Sequence, residues 1–179
     1  MFIKHDLNQM LPNQGHYFNH DLPNARFTPA GPDHAQIASV NGVIDYFERV
    51  YSHHYGDLPV NDRLKSQKVN QLFKKAEKRN MIPLLEFLSE KKGVNLIGKS
   101  DPEARAPTIS FTAENHDPAD VARLLGEENI GVANGNCYAT RLMDALAIPL
   151  DRGVVRLSFV HYTSSQEINK VISALDRIL

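Results

Sequence analysis

An α+β fold is what this sequence predicts: a helical first part, followed by a small antiparallel or mixed sheet with helices packed on it. Three observations carry that expectation. Apolar residues recur at helical spacing through two long stretches before Lys92, and from Thr108 the spacing changes to strict alternation. Beyond that point strand-like and helix-like stretches take turns to the C-terminus.

The opening segment is rich in Asn, His, Pro and Gly, as in Leu11-Pro-Asn-Gln-Gly-His and Asp21-Leu-Pro-Asn. Few of its backbone groups can enter a ladder or a helix, so it reads as an irregular arm that needs something to lie against. From His34 to Tyr55, Ile37, Val40, Ile44, Phe47 and Tyr51 repeat at helical spacing behind the start signal Pro32-Asp33. After the turn Gly56-Asp-Leu-Pro59, a second helix follows from Leu64, Val69, Leu72, Phe73 and Ala76. Pro83 is expected to bend or interrupt that helix before Leu84, Leu85 and Leu88, because its ring removes an N–H and crowds the preceding turn.

Val94 to Ile97, bounded by Gly93 and Gly98, reads as a short strand. Ile109, Phe111 and Ala113 alternate with Thr108, Ser110 and Thr112, the period of a strand with one buried face. Asp117-Pro118 opens a helix carrying Val121, Leu124 and Leu125. The pattern then repeats: an extended piece at Gly131 to Ala133, a helix from Tyr138 to Leu146, and a strand from Val154 to Val160. A last helix carries Ile168, Val171, Ile172, Leu175 and Ile178. These boundaries divide the chain into an arm over residues 1–33, a long helical segment over 34–92, and an α+β unit over 93–179.

With 42% hydrophobic residues in 179, the chain can close a core, and a net charge of −1 gives no extended positive field for nucleic acid or an anionic membrane. The basic residues Lys65, Lys68, Lys74, Lys75, Lys78 and Arg79 fall mostly away from the apolar stripe of their helix and read as a solvated face. The start Met-Phe-Ile-Lys-His-Asp has no apolar run for a signal peptide or membrane span, and a single cysteine cannot form an internal disulfide. A reducing, cytoplasmic compartment is the expectation.

Arg156 stands out on chemistry alone. In Val154-Val-Arg-Leu-Ser-Phe its neighbours Val155, Leu157 and Phe159 point to the opposite face, and a strand arginine amid apolar residues needs an acidic partner. Either it is an edge-strand arginine in a structural ion pair, or its guanidinium fork takes a ligand carboxylate through two parallel hydrogen bonds. His34, just after Gly31-Pro-Asp at a helix start, lies where free backbone amides favour an anion such as phosphate; the same residues also read as a plain capped turn. Cys137, in Asn134-Gly-Asn-Cys-Tyr-Ala, is a nucleophile if its pKa is lowered and a small buried hydrophobe otherwise. His53 and His54 point to different helix faces, and His16 and His20 sit in a broken segment, so no metal site is expected.

Several stretches together resemble one family. Arg26-Phe-Thr-Pro-Ala-Gly-Pro-Asp-His-Ala, with the following Gln36-Ile-Ala-Ser-Val-Asn-Gly-Val-Ile-Asp-Tyr-Phe, resembles the segment of class V aminotransferases that follows the cofactor lysine. Gly131-Val-Ala-Asn-Gly-Asn-Cys-Tyr-Ala-Thr-Arg-Leu-Met and Val154-Val-Arg-Leu-Ser-Phe-Val-His-Tyr-Thr-Ser-Ser-Gln-Glu-Ile are similar to its C-terminal domain, in the same order and spacing. The likeness is greatest to the cysteine-desulfurase-like subgroup.

The resemblance implies the C-terminal small domain of a fold-type-I pyridoxal-phosphate enzyme, preceded by an arm and helices that dock on a large domain and a dimer partner. It implies chemistry on an amino acid, with Arg156 binding the substrate α-carboxylate. It also places Ala30-Gly31-Pro32-Asp33-His34 near the cofactor phosphate of the partner subunit, where Gly31 replaces the family's threonine and backbone amides would serve. The sulfur-accepting cysteine of true desulfurases aligns with Tyr138, and Cys137 takes the subgroup's aromatic position; only a one-residue loop shift would bring Cys137 into that chemistry. The family's cofactor lysine, ring-stacking aromatic and aspartate belong to a large domain that the resemblance does not reach, and Lys4 matches the strand end after that region. No catalytic residue is therefore assigned. The expected function is the C-terminal portion of such an enzyme, inactive alone, a truncated product or half of a split enzyme, with a homodimer mate or a large-domain polypeptide as partner. The alternative is a non-enzymatic dimerisation or binding module derived from the same fold.

Overall fold

The computed structural model describes residues 3–27, 33–56 and 59–179. They divide into two compact units, Met1–Asn61 and Asp62–Leu179, so the long second helix groups with the C-terminal residues.

The first unit contains α1 (His5–Met10), a 3-10 turn at Tyr17–Asn19, and α2 (His34–Tyr55). The arm is thus less irregular than its composition suggests, and the reason is local. Carbonyls near the end of α1 lack intrahelical donors, and Arg26 supplies them: Nη1 donates to the Asn8 carbonyl at 2.6 Å and Nη2 to that of Leu11 at 2.5 Å. The Arg26 carbonyl in turn accepts from the amides of Gln14 and Gly15, each at 2.7 Å. In α2 the Asp33 side chain caps the first turn by accepting from the Gln36 amide at 3.0 Å. The helix spans the residues that its apolar spacing predicts.

The second unit begins with α3 (Asp62–Glu90). The expected break at Pro83 is absent: the helix runs through it, although proline removes one backbone donor. The side chains around it supply the reason. Met81, Leu84, Leu85 and Leu88 are all buried in one cluster, and each such burial contributes roughly 1.5–3 kcal/mol, which outweighs one lost bond. Four strands follow, β1 (Val94–Ile97), β2 (Thr108–Ala113), β3 (Ala133–Gly135) and β4 (Val154–Ser158), with a 3-10 turn at Pro102–Ala104 between the first two. Their order in the sheet is β1-β2-β4-β3, and every ladder is antiparallel.

The helices α4 (Pro118–Glu127), α5 (Thr140–Ala145) and α6 (Ser165–Ile178) lie between and after these strands. Asp117 caps α4 through the Ala119 amide at 2.8 Å, with Pro118 at the first helical position. Ser164 and Glu167 form a capping box at the start of α6. Some expected boundaries shift, and β4 ends at Ser158 instead of Val160. β3 falls two residues later than Gly131–Ala133, where it pairs with β4. The helix expected from Tyr138 starts at Thr140, because Cys137 and Tyr138 adopt left-handed backbone, at φ 49° and 62°, which a right-handed helix cannot include.

The alternation in β2 and β4 sorts the sheet into two faces. Ile109, Phe111, Val155 and Leu157 enter the main core with Val121 and Leu125 of α4, Ile168 and Leu175 of α6, and the α3 leucines. Asn80 of α3, buried, donates to the Thr163 carbonyl at 2.5 Å and accepts from the Ser165 hydroxyl at 3.2 Å, tying α3 to the start of α6. The other face is covered only in part, by Met143 of α5 with Ile148 against Val154.

Candidate functional site

The partly covered face carries Arg156. In β4 it alternates with Val155 and Leu157, which are committed to the core, so its side chain leaves from the opposite side. β4 lies between β2 and β3, which makes Arg156 a residue of an interior strand, not an edge. Its Cα partners are Ser110 on β2 and Ala133 on β3, and Val154 and Ser158 flank it on its own strand. None of these four is acidic.

Arg156 is half-buried, its Nε is sealed from solvent, and its side chain has no hydrogen-bond or ion-pair partner among the described residues. Two other arginines of this unit are paired with acids: Arg123 meets Glu127 at 2.7 Å and Arg177 meets Glu128 at 2.5 Å. A half-buried cation without a counter-charge favours an anionic ligand, and a carboxylate is the group that suits its terminal nitrogens. Ser110, opposite it, was read in the sequence only as a polar position of an alternating strand, and register alone gives it more weight.

The loop from β3 to α5 borders the same face, since α5 packs on Val154. Within it the Asn136 side chain accepts from the Tyr138 amide at 3.0 Å and the Asn136 carbonyl from the Ala139 amide at 2.8 Å. That turn holds Tyr138 fully exposed and leaves Cys137, a free thiol, half-buried.

The expected phosphate-side residues belong to the first unit. Gly31 lies outside the described residues, whereas Asp33 and His34 are exposed at the start of α2. Asp33 spends its carboxylate on the Gln36 amide, one of the donors that a phosphate oxygen would otherwise take, and adds a negative charge beside it. By themselves these two residues do not fit the cofactor's phosphate. Among the described residues, no group of His, Cys, Asp and Glu is arranged to hold a metal ion, and no helix is long and apolar enough to cross a membrane.

Residues 62–171 match the aminotransferase class-V family. The aminotransferase-like protein FGM3 of Gibberella zeae is 31% identical over 106 residues, which cover 58% of this chain and 26% of that protein. The cysteine desulfurase-like protein ustD of Aspergillus flavus is 35% identical over 101 residues, covering 54% and 23%. In structure, the chain superposes on an apo cysteine desulfurase from Thermococcus onnurineus with a TM-score of 0.67 and 24% identity, over 86% of this chain and 33% of that one. The chain therefore spans about a quarter of these curated relatives, and the fold is that of the small domain of fold-type-I enzymes. With the family matching more than half of its length, the chain belongs to the aminotransferase class-V family, in its cysteine-desulfurase-like part, whose cofactor is pyridoxal phosphate.

Proposed function

We propose that this chain is the substrate-anchoring portion of a pyridoxal-phosphate-dependent enzyme acting on an amino acid, with Arg156 holding the substrate α-carboxylate. The observation that carries the reading is the unpartnered guanidinium on an otherwise uncharged patch of sheet. A carboxylate arriving there gains charge-assisted hydrogen bonds that no acid among the described residues contests. Bound cofactor would supply the electron sink for bond cleavage at the substrate's α-carbon. What this chain contributes is orientation: a fixed cation on an interior strand holds one end of the amino acid so that its other bonds take a set direction.

The cofactor-bearing portion is supplied by further polypeptide, and these 179 residues alone do not turn over substrate. The fraction of each relative that the chain spans supports this. A non-enzymatic dimerisation or binding module is the second reading, favoured by one observation: Ile37, Val40, Val43 and Ile44 of α2 are all more than half exposed, an apolar stripe suited to a partner surface. The partner in either reading is a second copy or a large-domain polypeptide.

The test is to incubate the purified chain with pyridoxal phosphate, desalt it, and record visible absorbance, with borohydride trapping and peptide mapping to locate any modified lysine. No retention alone, but retention and turnover after co-expression with a large-domain partner, is the expected result. Specific retention at one lysine of the isolated chain would overturn the incompleteness reading, and a partnered complex without turnover would favour the binding module.

A further inference from the structure

The hidden Nε of Arg156 restricts how a carboxylate can be held. Because that atom is sealed from solvent, a ligand reaches only the two terminal nitrogens, so the carboxylate docks end-on and Nε–H must find its acceptor within the protein. The register limits what that acceptor can be. On the β3 side the partner is Ala133, which has no polar side-chain atom, and on β4 itself Val154 has none either. The hydroxyl of Ser158 already faces that of Thr108, at 3.5 Å. Ser110 remains. It is the direct Cα partner of Arg156 on β2, half-buried, and its hydroxyl has no hydrogen bond to another described residue. Side chains of directly opposed residues start about 4.5–5.5 Å apart at Cβ, within reach of one rotamer change of a serine.

We propose that Ser110 is a positioning residue for Arg156, accepting a hydrogen bond from Nε when a carboxylate occupies the terminal nitrogens and thereby fixing the guanidinium plane. The inference rests on the reading of Arg156 as a carboxylate anchor. Its physical basis is that an Nε–H sealed from solvent is costly to leave bare, and an anion on the terminal nitrogens restricts the guanidinium to one orientation in which a facing acceptor can be kept. The Ser110 hydroxyl offsets that cost and strengthens binding without touching the ligand.

The test uses the whole chain, labelled with ¹⁵N, and follows the arginine Nε–H resonances while acetate is added, with acetamide as the neutral control. The resonance lost in Arg156→Lys identifies Arg156. Acetate, and not acetamide, is expected to shift it and to slow its exchange with water. In Ser110→Ala the affinity for acetate falls by roughly 3- to 10-fold, the effect of one hydrogen bond, and the slowed exchange is lost. Ser110→Thr keeps the hydroxyl and restores both. If Ser110→Ala binds acetate as the parent does, with the same exchange rate, while Arg156→Lys does not bind, the positioning role is overturned and the anchor stands. If Arg156→Lys binds acetate unchanged, the anchor reading falls and this one with it.

Discussion

Gly153 at the entrance to β4 lies directly against Gly135 at the end of β3. A Cβ built on Gly153 would come within 2.5 Å of the Gly135 Cα and closer still to its carbonyl, and Gly153 also has a left-handed φ of 68°. Gly153→Ala is therefore expected to destabilise the chain by about 2–4 kcal/mol, from a backbone clash and an unfavourable conformation together. Urea denaturation measures it, and a midpoint equal to the parent's would contradict the close approach.

Asn80 is buried and serves two partners at the start of α6. Asn80→Ala leaves the Thr163 carbonyl without its side-chain donor, at an expected loss of about 1–3 kcal/mol. Asn80→Asp is expected to be worse, because a carboxylate cannot donate to that carbonyl and brings a charge into a buried place. Equal melting temperatures for the two variants would argue against this order.

The capping box gives a pH dependence whose sign can be worked out. The Glu167 carboxylate accepts from the Ser164 amide at 2.7 Å and from its hydroxyl at 2.8 Å, and these bonds hold its pKa below the ordinary value. A lowered folded-state pKa contributes stability that is present above the unfolded value and is lost as pH falls through the folded one. Ser164→Ala is expected to cost about 1 kcal/mol at neutral pH and to flatten the loss of stability in the acid range. Thermal melts of both proteins across the carboxylate range provide the comparison.

Among the described residues the Arg156 side chain has no partner to lose. Arg156→Gln is accordingly expected to leave stability unchanged or to raise it slightly, whereas removal of one member of a structural ion pair would destabilise the chain. A large drop in melting temperature would mean that the arginine serves the fold.

Much of the architecture is legible from residue spacing, because α2, β2 and the last helix each have a stripe of one period. Pro83 shows where spacing falls short. The local rule forecasts a bend or an interruption, and the helix is not interrupted; the burial of four apolar side chains around it depends on a sheet that the helix alone does not reveal. Pro83→Ala is expected to stabilise by about 1–3 kcal/mol, since it restores a donor in an intact helix, and denaturant midpoints report the change. The order β1-β2-β4-β3 is hidden for a similar reason: β2 pairs with a strand some forty residues on, and no neighbouring residue encodes that choice. At the site, the sequence marks Arg156 as a cation among apolar residues. That it lacks a counter-ion, and that Ser110 stands opposite, emerges only once three strands are aligned.

The interior position of β4 has one more consequence. Its two ladders fix Arg156 on the opposite side from Val155 and Leu157, and a slip of one residue would turn the cation inward and two apolar side chains outward. Half-measures are thereby excluded. Weakening the sheet does not yield a chain with a slightly misdirected guanidinium; it divides the population into molecules that can grip an anion and molecules that cannot. Loss of ligand capture on heating should follow the same sigmoid as loss of structure, making recognition a fuse wired in series with folding.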